Sequence, residues 1–288
     1  MIKSVNRSME KKDNPNTLIV CITGDIDDFQ TETIDCLDRY FSVLHNYNVK
    51  GTFFITAKAA EDYPDRVEHI VKHQHVIEGH GDVHVAFYQS VPVQTARLKS
   101  MKKTFSTLFD LDIDGFRAPW YKHNHNTYLA LDSAGLHYDC SKKRFEIAFK
   151  GIPFFQKRYM YTDVYPICKP ALKFLATAYN TYCNSPQIPY KITSRVMEFP
   201  TLGISDYTLI ADPRGPLFRP EDSEKMGKVW IECLSSLKQR GGGVMTLQVH
   251  PGRLSPEYVD SLEYFIRNCM KLGAVFSTPR EIGGYNVC

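Results

Sequence analysis

Short runs rich in β-branched residues alternate along this chain with segments whose apolar residues recur at helical spacing, and that alternation restricts the fold to α/β architectures. Thr17 to Thr23 (TLIVCIT) reads as a buried parallel strand that stops at Gly24. Thr33 to His45 then carries Ile34, Leu37, Tyr40, Phe41 and Leu44 near helical spacing, and Gly51 to Thr56 (GTFFIT) reads as the next strand. Helices are expected at Pro64 to Gln74, Thr95 to Phe109 and Asn126 to Ala134, with strands at Val76 to Glu78 and Gly115 to Arg117 between them. The pattern resumes with a helix at Asp222 to Gln239, a strand at Gly243 to Val249, a helix at Ser255 to Leu272 and a last strand at Ala274 to Ser277. A barrel and a doubly wound sheet both satisfy it, and both place their site beyond the C-terminal strand ends.

With 288 residues, 43% of them hydrophobic, the chain can bury a full core. We expect a polar segment at 1–16 and one domain over 17–288. The interval at about 142–195 breaks the alternation with prolines, aromatics and basic residues, and reads as an insertion. It carries ten Lys or Arg against only Glu146 and Asp163, a charge of +8 inside a chain whose net charge is +3. The eight cysteines are scattered without a C-x-x-C pair, as expected of reduced thiols in a cytosolic protein. The polar N-terminal stretch lacks the apolar run of a signal peptide, and no stretch is long and apolar enough to cross a bilayer. A cytoplasmic location is the expectation.

Three polar clusters fall at expected strand ends. In Asp25-Ile26-Asp27-Asp28 two carboxylates two residues apart can divide labour, one binding a cation and the other serving as a base. Taken alone, such a loop more often caps the following helix. In Glu78-Gly79-His80-Gly81-Asp82-Val83-His84 two imidazoles four apart can converge on one metal ion, and a carboxylate would make a third ligand with positions left open for water. His73 with His75 and His123 with His125 show how easily close spacings arise, and surface or supporting roles are expected for those pairs. Finally His250 directly follows a strand, where a side chain that titrates near neutrality can give a proton to a leaving amine.

In their order these blocks resemble the NodB-homology polysaccharide deacetylase family, carbohydrate esterase family four, across nearly the whole chain. Thr23-Gly24-Asp25-Ile26-Asp27 resembles the first block, which implies Asp25 as base and Asp27 as metal ligand. Gly79 to His84 resembles the second, implying that His80 and His84 complete the metal triad. Gly115-Phe116-Arg117-Ala118-Pro119-Trp120 resembles the Arg-x-Pro-aromatic signature. It implies that Arg117 orients the base, that Pro119 and Trp120 shape the sugar pocket, and that the Trp120 N–H helps hold an oxyanion. Leu247-Gln248-Val249-His250 is similar to the Leu-x-His block with one residue more, so Leu247 or Val249 would line the acetyl pocket and His250 would be the acid. The aspartate that supports His250 is either Asp139 or Asp206.

The resemblance implies an irregular (β/α)7-type barrel bearing a basic, aromatic-rich insertion, and a hydrolase that removes an acetyl or formyl group from an amino sugar. One divalent ion is expected, zinc first, with cobalt, nickel or iron suiting the same ligands. The insertion suggests peripheral contact with an anionic membrane and an amino sugar on a lipid or nucleotide carrier. Nothing in the sequence carries a nucleic-acid-binding signature. Two other readings stand beside this one, a cyclic imide or allantoin-type amide hydrolase and a catalytically silent carbohydrate-binding protein.

Overall fold

A computed structural model of the chain describes residues 17–144, 188–202, 205–206, 224–254, 256 and 258–284. The central part of the expected insertion, residues 145–187, lies outside them, as does the polar segment 1–16.

The strands of the described residues join one curled sheet. They are β1 (Leu18–Ile26), β2 (Gly51–Ile55), β3 (Val76–Gly79), β4 (Gly115–Phe116), β5 (Tyr138–Asp139), β6 (Lys143–Arg144), β7 (Tyr190–Lys191), β8 (Met197–Glu198), β9 (Thr201–Leu202), β10 (Gly243–Gln248) and β11 (Val275–Phe276). Their order is β6-β9-β10-β1-β2-β3-β4-β5-β8-β7, with β11 added to β1, and every pairing except β7 with β8 is parallel. Only Phe199 and Pro200 separate β8, which pairs with β5, from β9, which pairs with β10. The chain itself therefore draws the two flanks of the sheet together into a short-stranded, irregular α/β barrel, the expected fold class.

Helices α1 (Ile34–Asn46), α2 (Ala57–Asp62), α3 (Pro64–Lys72), α4 (Val91–Phe109), α5 (His125–Ser133), α6 (Lys225–Gln239), α7 (Val259–Lys271) and α8 (Pro279–Ile282) accompany the sheet. Helix α1 begins where expected because the Thr33 hydroxyl accepts from the Cys36 N–H, and it turns Leu37, Tyr40, Phe41 and Leu44 into the core. Tyr40 and Phe41 each meet Phe53 of β2 edge-on at 5.6 Å. Burial of each such large apolar side chain contributes about 1.5–3 kcal/mol. No helix among the described residues is long and apolar enough to cross a membrane.

Several elements depart from expectation. Strand β1 runs on through Gly24 and Asp25 to Ile26, because β2 pairs with it as far as Ile26↔Ile55. Asp25 is thus a strand residue inside the barrel, and the acidic loop begins only after Ile26. Helix α2 follows directly from Thr56, whose hydroxyl caps it by accepting from the Ala59 N–H. Lys143–Arg144 and Tyr190–Lys191, within the interval read as an insertion, pair with the sheet.

At the opposite end of the strands from the loops, Glu78 is wholly buried and accepts from Arg280 Nε at 2.7 Å, the Tyr138 hydroxyl at 2.6 Å, and the backbone N–H groups of Asp114 and Gly115. Arg280 also donates to the Asp112 carbonyl at 2.8 Å, so this ion pair ties α8 to β3 and to the start of β4. Arg280→Ala leaves a buried carboxylate without its counter-charge and is expected to lower stability by about 3–5 kcal/mol in urea unfolding. A loss under about 1 kcal/mol would show that the pair does not hold this end of the barrel.

Candidate active site

Strand alternation aims the chemistry. Thr23 and Asp25 share one face of β1, Gln248 follows the same rule on β10, and the register pairs Thr23 with Gln248. Asp25, only 3% exposed, is therefore set beside Gln248 and just below His250, which leaves the end of β10.

Arg117 joins these strands. Its side chain is fully buried just after β4, with the guanidinium 4.3 Å above the Phe54 ring. Nη1 donates to Asp25 Oδ1 at 2.6 Å and to Thr23 Oγ1 at 3.0 Å, Nη2 to Thr201 Oγ1 at 3.0 Å, and Nε to the Cys140 carbonyl at 3.2 Å. Both hydroxyls can accept because each gives its own proton elsewhere, Thr23 to the Leu247 carbonyl and Thr201 to that of Cys140. Burial alone would raise the Asp25 carboxyl, but Arg117, His80 and His250 together outweigh it and hold the group below its ordinary value.

Asp27, His80 and His84 meet at the mouth. Asp27 Oδ1 lies 3.4 Å from His80 Nε2 and 3.2 Å from His84 Nε2, and His80 Nε2 is 4.0 Å from Asp25 Oδ2. Burial raises the Asp27 carboxyl, yet the hydrogen bond and charge of His80, then the charges of His84 and His250, bring it down to about 2. The loop that delivers both imidazoles turns at Gly81, whose φ of +98° suits glycine and where a Cβ would press on the Val83 carbonyl at 3.1 Å.

The donor set fits a metal ion. His80 Nδ1 lies 2.7 Å from the Arg117 carbonyl, which can only accept, so a neutral His80 carries its proton on Nδ1 and turns the Nε2 lone pair toward Asp27 and His84. Three donors of the N, N and O type within 4.8 Å of one another suit a cation. Ligands about 2.1 Å from a shared tetrahedral ion stand roughly 3.4 Å apart, close to the separations found here.

On the other flank Asp206 Oδ1 accepts from His250 Nδ1 at 2.9 Å, while Oδ2 accepts from the His250 backbone N–H at 2.7 Å. This resolves the supporting aspartate in favour of Asp206. Asp139 instead accepts from Ser141 Oγ, which in turn accepts from the Ala118 N–H at 2.8 Å, so it braces the segment that carries Arg117. Asp139 and Glu198 form a wholly buried carboxyl pair, and burial pushes both upward.

Of the pocket residues expected from sequence, Trp120 is 55% exposed and its ring centre lies 4.4 Å from that of His84, so it walls the cluster. Its backbone sits at φ 53°, a left-handed conformation that costs of order 1–3 kcal/mol and is characteristic of functional sites. Pro119 is buried beneath it. Leu247 and Val249 are fully buried and pack in the core cluster.

Sequence reasoning missed Gln248, which it treated as a spacer. Its Nε2 donates to Asp25 Oδ2 and stands 3.2 Å from His250 Nε2, linking the two flanks. The signal was there: residues 248 and 250 share a strand face while 247 and 249 share the buried one. Lys143 was read as part of a basic run; it stands 4.3 Å over the Tyr121 ring, and burial holds its ammonium below the ordinary lysine value despite the pull of Asp25.

Fold and site together define an α/β barrel with a His-His-Asp cluster at the C-terminal strand ends, between a buried aspartate and an aspartate-supported histidine. Residues 15–138, the segment that bears Asp25, Asp27, His80, His84, Arg117 and Trp120, match the family model of polysaccharide deacetylases. No curated protein matches the chain by sequence. Among solved structures, a Mycobacterium smegmatis protein described as a polysaccharide deacetylase is similar with a TM-score of 0.69 at 18% identity, covering 93% of this chain and 89% of its own. The PuuE allantoinase is similar with a TM-score of 0.65 at 12% identity, covering 93% and 89%. A family 4 acetyl xylan esterase from Clostridium thermocellum, in complex with cobalt, is similar with a TM-score of 0.53 at 13% identity, covering 93% of both chains. At these identities the likeness is one of fold.

The Asp25–Arg117 pair makes a signed prediction for the metal-stripped protein. Because the Asp25 carboxyl is held below its ordinary 3.8, its ionised form adds stability above that pH, and this is lost as the pH falls through the lowered value. Arg117→Met removes the largest opposition to that desolvation, so the carboxylate destabilises the variant at neutral pH by about 3–5 kcal/mol. The stability gap between the two proteins should be widest near neutrality and narrow on acidification; a gap independent of pH would contradict the pairing.

Proposed function

We propose that the protein is a metal-dependent hydrolase that removes an N-acyl group, acetyl or formyl, from an amino sugar. The observation that carries this reading is the convergence of Asp27, His80 and His84 at the barrel mouth, flanked by Asp25 and His250. The match of residues 15–138 to the family model of polysaccharide deacetylases supports a carbohydrate substrate.

Asp27, His80 and His84 would hold the ion. When bound, a divalent metal supplies Lewis acidity, lowering the pKa of water from about 15.7 toward about 7 and drawing charge from a carbonyl oxygen. Asp25, kept ionised by Arg117, takes the proton from the attacking water as the new C–O bond forms. The Trp120 N–H is assigned to the carbonyl oxygen as charge develops there, a contact of a kind worth about 2.7–4 kcal/mol in other hydrolases. Asp206 fixes the His250 ring with Nδ1 inward, so that Nε2 can present a proton to the amine as the C–N bond breaks. Gln248, between Asp25 and His250, holds both side chains in register, and the indole of Trp120 walls the sugar.

Zinc suits two imidazoles and a carboxylate, and cobalt, nickel or iron would be held by the same donors. The cobalt bound in the similar Clostridium thermocellum esterase supports a divalent transition ion without choosing among them. Likeness to the PuuE allantoinase supports a second reading, hydrolysis of a cyclic imide or ureide by the same groups. The complete set of base, ligands and acid weighs against a silent carbohydrate-binding protein. We further assign the protein to the cytoplasm, at the face of an anionic membrane, acting on a lipid- or nucleotide-linked sugar. The membrane part of that placement rests on the basic, aromatic composition of the interval at 142–195, and the cytoplasmic part on scattered cysteines without a C-x-x-C pair.

Acetate and formate release from a panel of nucleotide- and lipid-linked N-acyl sugars, with allantoin included, separates the readings. Asp25→Asn should cut turnover by about 10²–10⁴-fold while the zinc affinity of the mouth is kept, and His80→Ala should lose that affinity. Turnover that survives either a chelator or Asp25→Asn would overturn the mechanism. In flotation, the protein should rise with vesicles rich in anionic lipid and stay behind with neutral ones; equal behaviour would remove the membrane assignment.

A further inference from the structure

A second donor cluster lies on the helical layer, away from the mouth. His69 and His73 are four residues apart on α3 and its C-terminal cap, which puts both imidazoles on one helix face. Asp38 of α1 faces them, and one ligand atom from each of the three residues lies within 4.8 Å of the others. His69 Nε2 stands 2.7 Å from Asp38 Oδ1, and the two imidazole ring centres are 4.7 Å apart.

The cluster is built on a rigid floor. Phe41, buried in the core and one turn after Asp38 on α1, lies under both rings, its centre 5.9 Å from that of His69 and 5.1 Å from that of His73. Contact with a fixed aromatic limits the rotamers open to the imidazoles, so little side-chain freedom remains to be lost when a ligand is bound. The Asp38 side chain is half exposed, so water can reach the site and complete a coordination shell.

We infer that Asp38, His69 and His73 form a second divalent-metal site, independent of the cluster at the barrel mouth. Two imidazoles and one carboxylate select zinc, nickel, cobalt or copper over magnesium and calcium. An ion there joins the helix that follows the Asp25 strand to the helix that precedes the His80 strand. It stabilises the folded chain without touching substrate. A bare His69–Asp38 ion pair, the simpler account of the same residues, requires neither metal binding nor His73.

Zinc titration by calorimetry of the chelator-stripped protein tests this, with the mouth disabled by His80→Ala. That protein should still bind one equivalent of zinc, and the zinc should raise its unfolding midpoint. Adding His73→Ala should weaken the remaining binding at least about tenfold and abolish the thermal shift, and Asp38→Asn, which keeps the side-chain volume, should do the same. His123→Ala, at a histidine engaged by Tyr128, should change neither. Absence of zinc binding by the His80→Ala protein, or binding that survives His73→Ala unchanged, would overturn the site. Should the wild-type protein bind a single equivalent of zinc that His80→Ala leaves undiminished and His73→Ala removes, the helical site stands and the metal-binding reading of the mouth falls.

Discussion

A guanidinium sealed from water must place its charge and its donors inside the protein, and Arg117 does so by joining three separate segments to its own. Asp25 and Thr23 come from β1, the Cys140 carbonyl follows β5, Thr201 begins β9, and Arg117 itself follows β4. Short strands of two residues give little ladder bonding of their own, so the barrel mouth depends on this polar junction for its shape. Removing one partner of such a junction costs far more than its presence gains, because the remaining charge is left in a medium that cannot solvate it.

The same junction separates two carboxylates that are nearly neighbours in sequence. Asp25 faces inward to Arg117 and Gln248, whereas Asp27, one residue beyond the strand end, faces the imidazoles of His80 and His84. One is fixed by a permanent cation and the other lies among imidazole nitrogens that can share a metal with it. Different environments thus give the two aspartates different tasks, and strand β1, by ending at Ile26, sets the boundary between them.

Much of this was legible in the residues. Alternation of β-rich runs with helical periodicity narrowed the architecture to a barrel or a doubly wound sheet, and the blocks around Asp25, His80, Arg117 and His250 named groups that the fold gathers at one mouth. What was not legible depended on pairing. The reach of β1 through Asp25 follows from its partner β2, and short strands such as Tyr138–Asp139 and Met197–Glu198 have no periodicity of their own to reveal them. The choice of Asp206 over Asp139 as the partner of His250 turned on a contact between residues 44 positions apart, beyond the reach of local pattern. Gln248 could have been found, since its side chain shares a strand face with His250.

The central claim is that Asp27, His80 and His84 bind one cation together, and anomalous diffraction from crystals grown with zinc tests it most directly. A peak bounded by Asp27 and the Nε2 atoms of His80 and His84, at about 2.0–2.2 Å from each, is the predicted result. Crystals in which zinc occupies other places while this cluster stays vacant, its three side chains engaged only with one another, would contradict it.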